Sequence, residues 1–548
     1  MIRKSKYVLR LVAAVLTVAL VLSGCNGAKK SENTSSNKTY VMDPVLNELG
    51  TFPICKETIP LKIMMTQNAN IADIYTNKYT KKIEKDGNVR LEFELVPGVD
   101  MTTKLNLMMN SGVDTLPDVI IADLTQSQVA SYGASGMIIP LNDYYEHSSY
   151  YLKQGLEKVK EKDILKYITS ADGNIYTVPS YNESIQNEFV NVLWIYKPWL
   201  DKLGLKVPET LEEYATALQM FKDNDMNGNG DKTDEIPLID YTNKFAISNI
   251  MNAFIRHEVN NNRLSISNGK LSFAFLTDQW REGLRYLSQL CKNELFSPVS
   301  FTMDTNQLKA ILANEENKVG SFSWTSTSIL PATSKRRSEF VPIVLKGKDG
   351  NTTTWYERTM PIPRYFITKK CEHPEVAFRI ADYMCSEEMT IWSRWGEKGV
   401  DWVVPQEGTK SMYEFLGYKA TIEPILQWGT VQNAHWYNMA PSFRTYEVAA
   451  GMVSTDASQQ AKADAIKILH QYIPEEIIGQ IVFTKDELEE FTEIMFTVNN
   501  FVDEKIAQFV TGRENVDEGW NAYIAELKNM NVDRALEIAQ QAFDRMKQ

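Results

Sequence analysis

Pro117-Asp118-Val119-Ile120-Ile121-Ala122 is a short apolar run entered through a proline–aspartate pair. An unbroken apolar run leaves no polar face for water, which is the pattern of a strand buried on both sides in a parallel sheet covered by helices. The segments before it complete the unit. Residues 61–65 form an apolar strand after Pro60, and residues 71–85 read as a helix. Val89, Leu91, Phe93 and Leu95 alternate with polar residues as a half-buried strand does. Residues 101–111 suit a helix that stops at Gly112. Strands separated by helices imply right-handed βαβ units, so the fold class is α/β.

Further along, residues 167–178 read as a hairpin turning at Asp172-Gly173 and residues 192–196 as a strand. Residues 210–223 read as a helix, with Leu211, Tyr214, Leu218 and Phe221 at helical spacing. The C-terminal part is mostly helical: Val502, Ile506 and Phe509 form one stripe before Gly512, and Tyr523, Leu527 and Met530 form another. There is no internal repeat.

A chain of 548 residues exceeds one ordinary core and calls for two or more domains. Its 43% hydrophobic and 23% charged residues are those of a soluble globular protein. The net charge of −12 argues against a nucleic-acid partner, which needs a basic face. It also disfavours a highly anionic ligand unless a local patch overrides it. Of the five cysteines, Cys55, Cys291, Cys371 and Cys385 are scattered without a CxxC, which argues against a zinc site and keeps their disulfide pairing open. Aromatic residues are abundant, with 11 Trp, 25 Tyr and 22 Phe. Trp324, Trp355, Trp402, Trp428, Trp436 and Tyr437 stand in polar, loop-like surroundings. Such rings either fill cores or stack on the C–H faces of sugars.

The chain begins with a basic segment (Arg3, Lys4, Lys6, Arg10), an apolar stretch at 11–22 broken only by Thr17, and then Leu22-Ser23-Gly24-Cys25. This is a lipoprotein signal peptide, residues 1–24, with Cys25 as the lipidated residue. The stretch is too short for the roughly 20 apolar residues of a membrane span. Residues 26–40 are polar and nearly free of apolar side chains, so 25–55 is expected to be a flexible tether, with the folded part starting near Pro53. The expected location is the extracellular face of the cell membrane, through a lipid anchor.

Several stretches resemble the lipid-anchored extracellular solute-binding proteins of bacterial ABC transporters, family 1, and within them a long Gram-positive subgroup. They are Asn110-Ser111-Gly112 through Leu116-Pro117-Asp118-Val119-Ile120, Ser135-Gly136-Met137-Ile138-Ile139-Pro140-Leu141, Trp199-Leu200-Asp201-Lys202-Leu203-Gly204-Leu205, the Asp/Asn/Gly loop at 225–235, and Gln508-Phe509-Val510-Thr511-Gly512. Gly396-Glu397-Lys398-Gly399-Val400-Asp401-Trp402 matches the family's Gly-rich turn only loosely. The resemblance implies a two-lobed, periplasmic-binding-protein-like (type II) fold with the ligand in a cleft between lobes. Crossovers are then expected near 179–183, 355–360 and 398–404. Lobe 1 would comprise 56–180 and 358–400, and lobe 2 would comprise 181–357 and 401–548.

Asp225-Met226-Asn227-Gly228-Asn229-Gly230-Asp231 through Asp234 and Glu235 places oxygen side chains at alternate positions of a Gly-permitted turn. Hard cations such as calcium take six to eight oxygens. Counting from Asp225 puts Asp225, Asn227 and Asn229 at positions 1, 3 and 5 and Gly230 at 6, with the Asp231 carbonyl, Asp234 and Glu235 completing the shell. Counting from Asp223 puts Gly228 at 6 and Asp234 at 12. The resemblance favours the first register. Neither has the EF-hand's Glu at 12, so the expectation is a structural, EF-like calcium loop; a plain surface loop is the alternative.

For the cleft, the resemblance implies ligand contacts from Tyr181, Asn182 and Glu183 after the first crossover strand. It implies a stacking platform at Trp324 and a lobe-1 wall at Asp123 and Thr125. It adds Arg358 and Trp402 at the other crossovers, and Trp436. The expected function is capture of a carbohydrate, an oligosaccharide, for an ABC permease, by a monomer without catalytic activity. Alternatives are a secreted glycosidase or lyase, and a ligand-presenting partner of a membrane sensor. No GxSxG nucleophile motif supports an enzyme.

Overall fold

The computed structural model describes residues 40–547 except 427. The expected signal peptide and Cys25 lie outside the described residues. The body begins earlier than the expected tether allows. Leu46 bridges Cys55, both are fully buried, and Ile54 packs beside them, so residues 42–55 are part of the fold. Leu46, Ile54 and Cys55 join the first core, and Val45 packs against it. No described helix is long and apolar enough to cross a membrane.

A six-stranded sheet runs Ser442–Arg444, Val178–Asn182, Ile362–Ile367, Val119–Ile121, Ile59–Thr66, Val89–Val96. Ile59–Thr66 pairs in parallel with both Val89–Val96 and Val119–Ile121, as expected of βαβ units. Ile362–Ile367 is inserted antiparallel between Val119–Ile121 and Val178–Asn182. Side chains alternate between two cores: Ile63, Val119, Ile121, Tyr365 and Ile367 face one, while Met64, Ile120 and Phe366 face the other. Val119–Ile121 is buried throughout, as its unbroken apolar sequence requires.

The second sheet has four strands, Phe340–Ile343, Val192–Tyr196, Val319–Trp324 and Ile236–Leu238. Leu193 and Ile195 pack against the helices Leu211–Asp223, Asp278–Lys292, Lys485–Val510 and Val532–Met546. Trp194 and Phe322 face the opposite core, closed by the helix Ala457–Leu469. Local signals set the helix ends. Thr210 caps Leu211–Asp223 in a reciprocal box with Glu213. Met101–Ser111 ends at Gly112, whose φ of 93° an L side chain rarely adopts. The first helix starts only at Lys78, seven residues later than its pattern suggests, because Asn77 caps it and residues 72 and 78 donate backbone N–H groups to Gln432 and Asn433. The expected hairpin is smaller: a helix, Ile164–Ile168, and then a Thr169–Ile175 bridge around Gly173.

The chain passes between the sheets after Asn182, before Ile362 and after Arg444. The third of these lies away from the expected 398–404. Trp402–Val403 pairs with Glu423–Pro424 in a short ribbon, Met412 and Tyr413 visit the second core, and the chain then returns to place Trp436 and Ser442–Arg444 with the first sheet. Residues 401–444 therefore serve both sheets, against the expected assignment of 401–548 to lobe 2. The parallel pairing of Ser442–Arg444 with Val178–Asn182 is the physical reason.

Candidate ligand-binding site

Arg444 stands opposite Asn182 in register, and Ile362 opposite Ser180, so the three crossings leave the first sheet side by side. Tyr181 is buried in the sheet core against Phe443. Asn182 holds a buried side-chain oxygen with no partner. Glu183 is 2% exposed. Its Oε1 accepts the backbone N–H groups of Lys160 (2.5 Å) and Glu161 (3.4 Å), and its Oε2 that of Tyr446 (3.3 Å). Burial nevertheless pushes its carboxyl above the usual range.

Glu188 lies further along the first crossing and is also raised by burial; it accepts the Tyr446 hydroxyl. The Lys160 ammonium sits 4.2 Å from the Tyr446 ring centroid and donates to the Tyr418 hydroxyl at 3.3 Å. Arg358, on the second crossing, donates to Glu161 at 3.3 Å. The structure thus gathers Tyr181, Asn182, Glu183 and Arg358 around one junction.

Asp123 and Thr125 follow the buried strand. Asp123 is forked by Arg364, at 2.7 and 3.1 Å, and the same guanidinium donates to the Asn438 carbonyl. Asn438 in turn donates its N–H to Ser393, and its side-chain oxygen is buried without a partner. Thr125 caps the helix Gln126–Ala134 in a reciprocal box with Gln128, so its hydroxyl is already engaged.

Trp324 ends its strand half-buried, with Tyr241 and Phe245 rings at 5.3 and 5.7 Å; Phe245 leads on to Trp355 at 5.5 Å. Trp402 is buried beside Trp395, and its indole N–H donates to the Gly396 carbonyl at 3.1 Å. Trp436 is fully buried; its indole N–H donates to the Thr80 hydroxyl at 2.9 Å, and Tyr79 and Phe93 cover it. It offers no free face and acts as core.

Three residues near this junction, Arg394, Trp395 and Arg444, were missed by sequence reasoning, and Trp428 was noted only as an aromatic in polar surroundings. The Arg394 guanidinium lies 4.4 Å from the Trp428 ring centroid and 5.2 Å from that of Trp395; Arg444 lies 5.7 Å from Trp395. Trp428 is half exposed, parallel to His435 and 4.8 Å from Tyr437. Burial and the neighbouring Arg394 push His435 down to about 4, so the imidazole is neutral at pH 7. Trp428 carried a signal, an indole in polar surroundings. Arg394 and Arg444 carried none, since neither lies in a motif and only pairing brings them together.

The loop at 225–235 is built as an oxygen-rich turn. Asp225 accepts the N–H groups of Gly228 and Gly230 at 2.7 and 2.8 Å, Asn227 that of Asn229, and Asn229 that of Asp231. Asp231 receives the N–H of Thr233, and Lys318 meets Asp234 at 2.7 Å. Glu235 is 8% exposed, and its Oε2 is buried with no partner. Asp223 ends the preceding helix and takes the Gln219 amide, so the turn itself begins at Asp225. An all-oxygen set with one orphaned carboxylate oxygen fits a hard cation. Among the described residues no group of three or more His, Cys, Asp or Glu side chains converges, so asparagines and carbonyls would supply much of the shell.

The four cysteines Cys55, Cys291, Cys371 and Cys385 are free thiols, three of them buried, and burial pushes Cys55 up to about 11 and Cys371 to about 12.

A family model described as bacterial extracellular solute-binding protein matches residues 78–397. The fructooligosaccharide ABC transporter substrate-binding protein FusA of Streptococcus pneumoniae is 26% identical over 97% of both chains. Among solved structures, a FusA EF-hand mutant in complex with fructo-nystose superposes with a TM-score of 0.69 at 22% identity, over 89% of this chain and 99% of that one. An HMO-binding, ABC-transporter-associated solute-binding protein from Bifidobacterium longum infantis superposes with a TM-score of 0.72 at 18% identity, again over 89% and 99%. The fold is the two-lobed α/β fold of such proteins.

Proposed function

The chain belongs to the bacterial extracellular solute-binding protein family, and we propose that it captures an oligosaccharide outside the cell and delivers it to an ABC permease. The junction of the three crossings carries this reading. Buried polar atoms without partners stand on Asn182 and on Arg444, which pair in the sheet, and on Arg394, which shares Trp395 with Arg444 and lies against the half-exposed Trp428. Sugar hydroxyls both donate and accept, so they satisfy such a mixed set, while an indole covers a C–H face. Two lobes closing over the solute exclude water and bury most of its surface. The names of FusA and of the HMO-binding protein support a carbohydrate.

The protein works without catalysis, as a monomer held to the membrane by lipid on Cys25. Glu183 and Glu188, the buried carboxylates nearest the junction, accept backbone N–H groups and the Tyr446 hydroxyl, which suits a role in fastening the crossings. Calcium in the 225–235 loop, held by Asp225, Asn227, Asn229, Asp231, Asp234 and Glu235, has a structural role; the EF-hand named for FusA supports it.

Calorimetric titration with neutral and charged oligosaccharides, followed by chromatography of each bound sugar after long incubation, tests the reading. Saturable binding with the sugar recovered intact is expected. Cleavage products in molar excess over protein would replace it with a glycosidase or lyase.

A further inference from the structure

Among the described residues the buried and half-buried arginines pair with a carboxylate or donate to carbonyl and amide oxygens; Arg256 and Arg281 each leave one buried nitrogen without an acceptor but pair with Glu258 and Asp517. Arg364 is forked onto Asp123. Arg337 pairs with Asp456 at 3.0 Å and donates to the Leu330 carbonyl. Arg336 meets Asn317 and the Asn314 carbonyl, and Arg379 the carbonyls of Asn47 and Glu48. Arg394 and Arg444 break this pattern together. The Nε of each is buried with no acceptor. Arg444 is 4% exposed, and among the described residues no carboxylate pairs with either guanidinium. What surrounds them is aromatic: Trp395 serves both, and Trp428 serves Arg394.

A guanidinium stays charged in a protein, and burying one without a counter-ion is strongly unfavourable. Two close together add repulsion; Arg394 acts on Arg444 in the direction of losing its proton, after burial. Ring quadrupoles offset only part of such a cost. Non-specific anion attraction does not explain the pair, because the chain carries a net charge of −12. Charge is therefore concentrated locally at the junction of the crossings, next to an exposed indole.

We infer that the solute is an acidic oligosaccharide, with a ring carboxylate received by the guanidinium groups of Arg394 and Arg444 while Trp428 stacks on the same or an adjoining sugar. The planar fork of arginine matches a carboxylate in two parallel N–H···O bonds. The inference rests on the binding reading above and narrows its ligand class.

The test uses the lobed body in solution, titrated with galacturonate, glucuronate and mannuronate trimers, with the fully methyl-esterified form of each, and with neutral kestose. At least one acid is expected to bind tenfold or more tighter than its own ester, with a preference that shrinks as salt is raised. Arg444→Gln and Arg394→Gln should each abolish that preference. They should leave the melting temperature of the unliganded protein unchanged or raised, since each removes an uncompensated buried charge. Esters or kestose binding as well as the acids would overturn the acidic class and leave sugar binding standing. Binding of no probe, acidic or neutral, would overturn both. The comparison of acid with ester in the unmutated protein decides the question even if a variant fails to fold.

Discussion

Glu183 and Tyr446 are joined by a hydrogen bond of 3.3 Å from the Tyr446 backbone N–H to the Glu183 carboxylate, which ties the first crossing to the third. The other carboxylate oxygen holds Lys160 and Glu161 of the first lobe's surface. One buried side chain therefore fastens three segments far apart in sequence. Its removal orphans several backbone donors at once. Glu183→Ala is expected to lower unfolding free energy by about 2–3 kcal/mol, the scale of hydrogen bonds to a charged group. Urea denaturation measures it. Unchanged stability with lost sugar affinity would instead make Glu183 a ligand contact.

Trp324 and Trp436 give a contrast. Trp324 is half-buried at the end of its strand, whereas Trp436 lies wholly within the first core. Trp324→Ala is expected to weaken sugar binding about 5- to 100-fold, by analogy with aromatic–base stacking, with the melting curve preserved. Trp436→Ala is expected to cost about 3–5 kcal/mol of stability through the cavity it leaves. Equal losses of affinity at unchanged stability in both variants would contradict this assignment.

Calcium removal should lower the melting temperature. A cation that binds only the folded state stabilises it by about 2.7 kcal/mol at a hundredfold excess over its dissociation constant. Excess chelator should reproduce that loss, and Asp225→Ala should erase the difference between calcium-loaded and chelated samples. Identical melting curves with and without chelator, after prolonged incubation, would make 225–235 an ordinary surface turn.

His257 supplies a pH prediction. It is 2% exposed, and burial pushes its imidazole down to about 3, from an ordinary value near 6.5. The unfolded chain therefore binds a proton that the folded chain refuses between those values. Stability is complete above about pH 6.5 and falls as pH drops toward 3, by at most about 1.4 kcal/mol per pH unit for this one group. Asp240 and Asp382, raised by burial to about 6, act in the opposite sense below that value. The difference in melting temperature between the unmutated protein and His257→Gln should narrow or reverse on acidification from pH 7 to 4. A constant difference would mean that His257 takes up its proton in the fold as readily as in the unfolded chain.

Local pattern carried much of the architecture. Val119–Ile121 is a buried strand because its apolar run has no other stable place. Met101–Ser111 and Leu211–Asp223 stand where apolar spacing, Gly112 and the Thr210–Glu213 box put them. The oxygen ladder of 225–235 is likewise visible in residues two apart, because turn chemistry acts over a few bonds.

Pairing between distant segments was not legible in that way. Nothing near Ser442–Arg444 in the sequence reveals that it lies against Val178–Asn182. That single pairing moves the third crossing away from 398–404 and brings Arg444 beside Trp395. Likewise Trp324 and Trp436 look alike in sequence, each an indole among polar neighbours, and burial alone separates them. The amino-acid order by itself determined the α/β class, the capped helices and the oxygen-rich loop, since hydrophobic periodicity and backbone preference are local properties. Tertiary structure decided which charges are left uncompensated and which rings remain exposed, since burial and electrostatic pairing depend on everything that packs around a side chain.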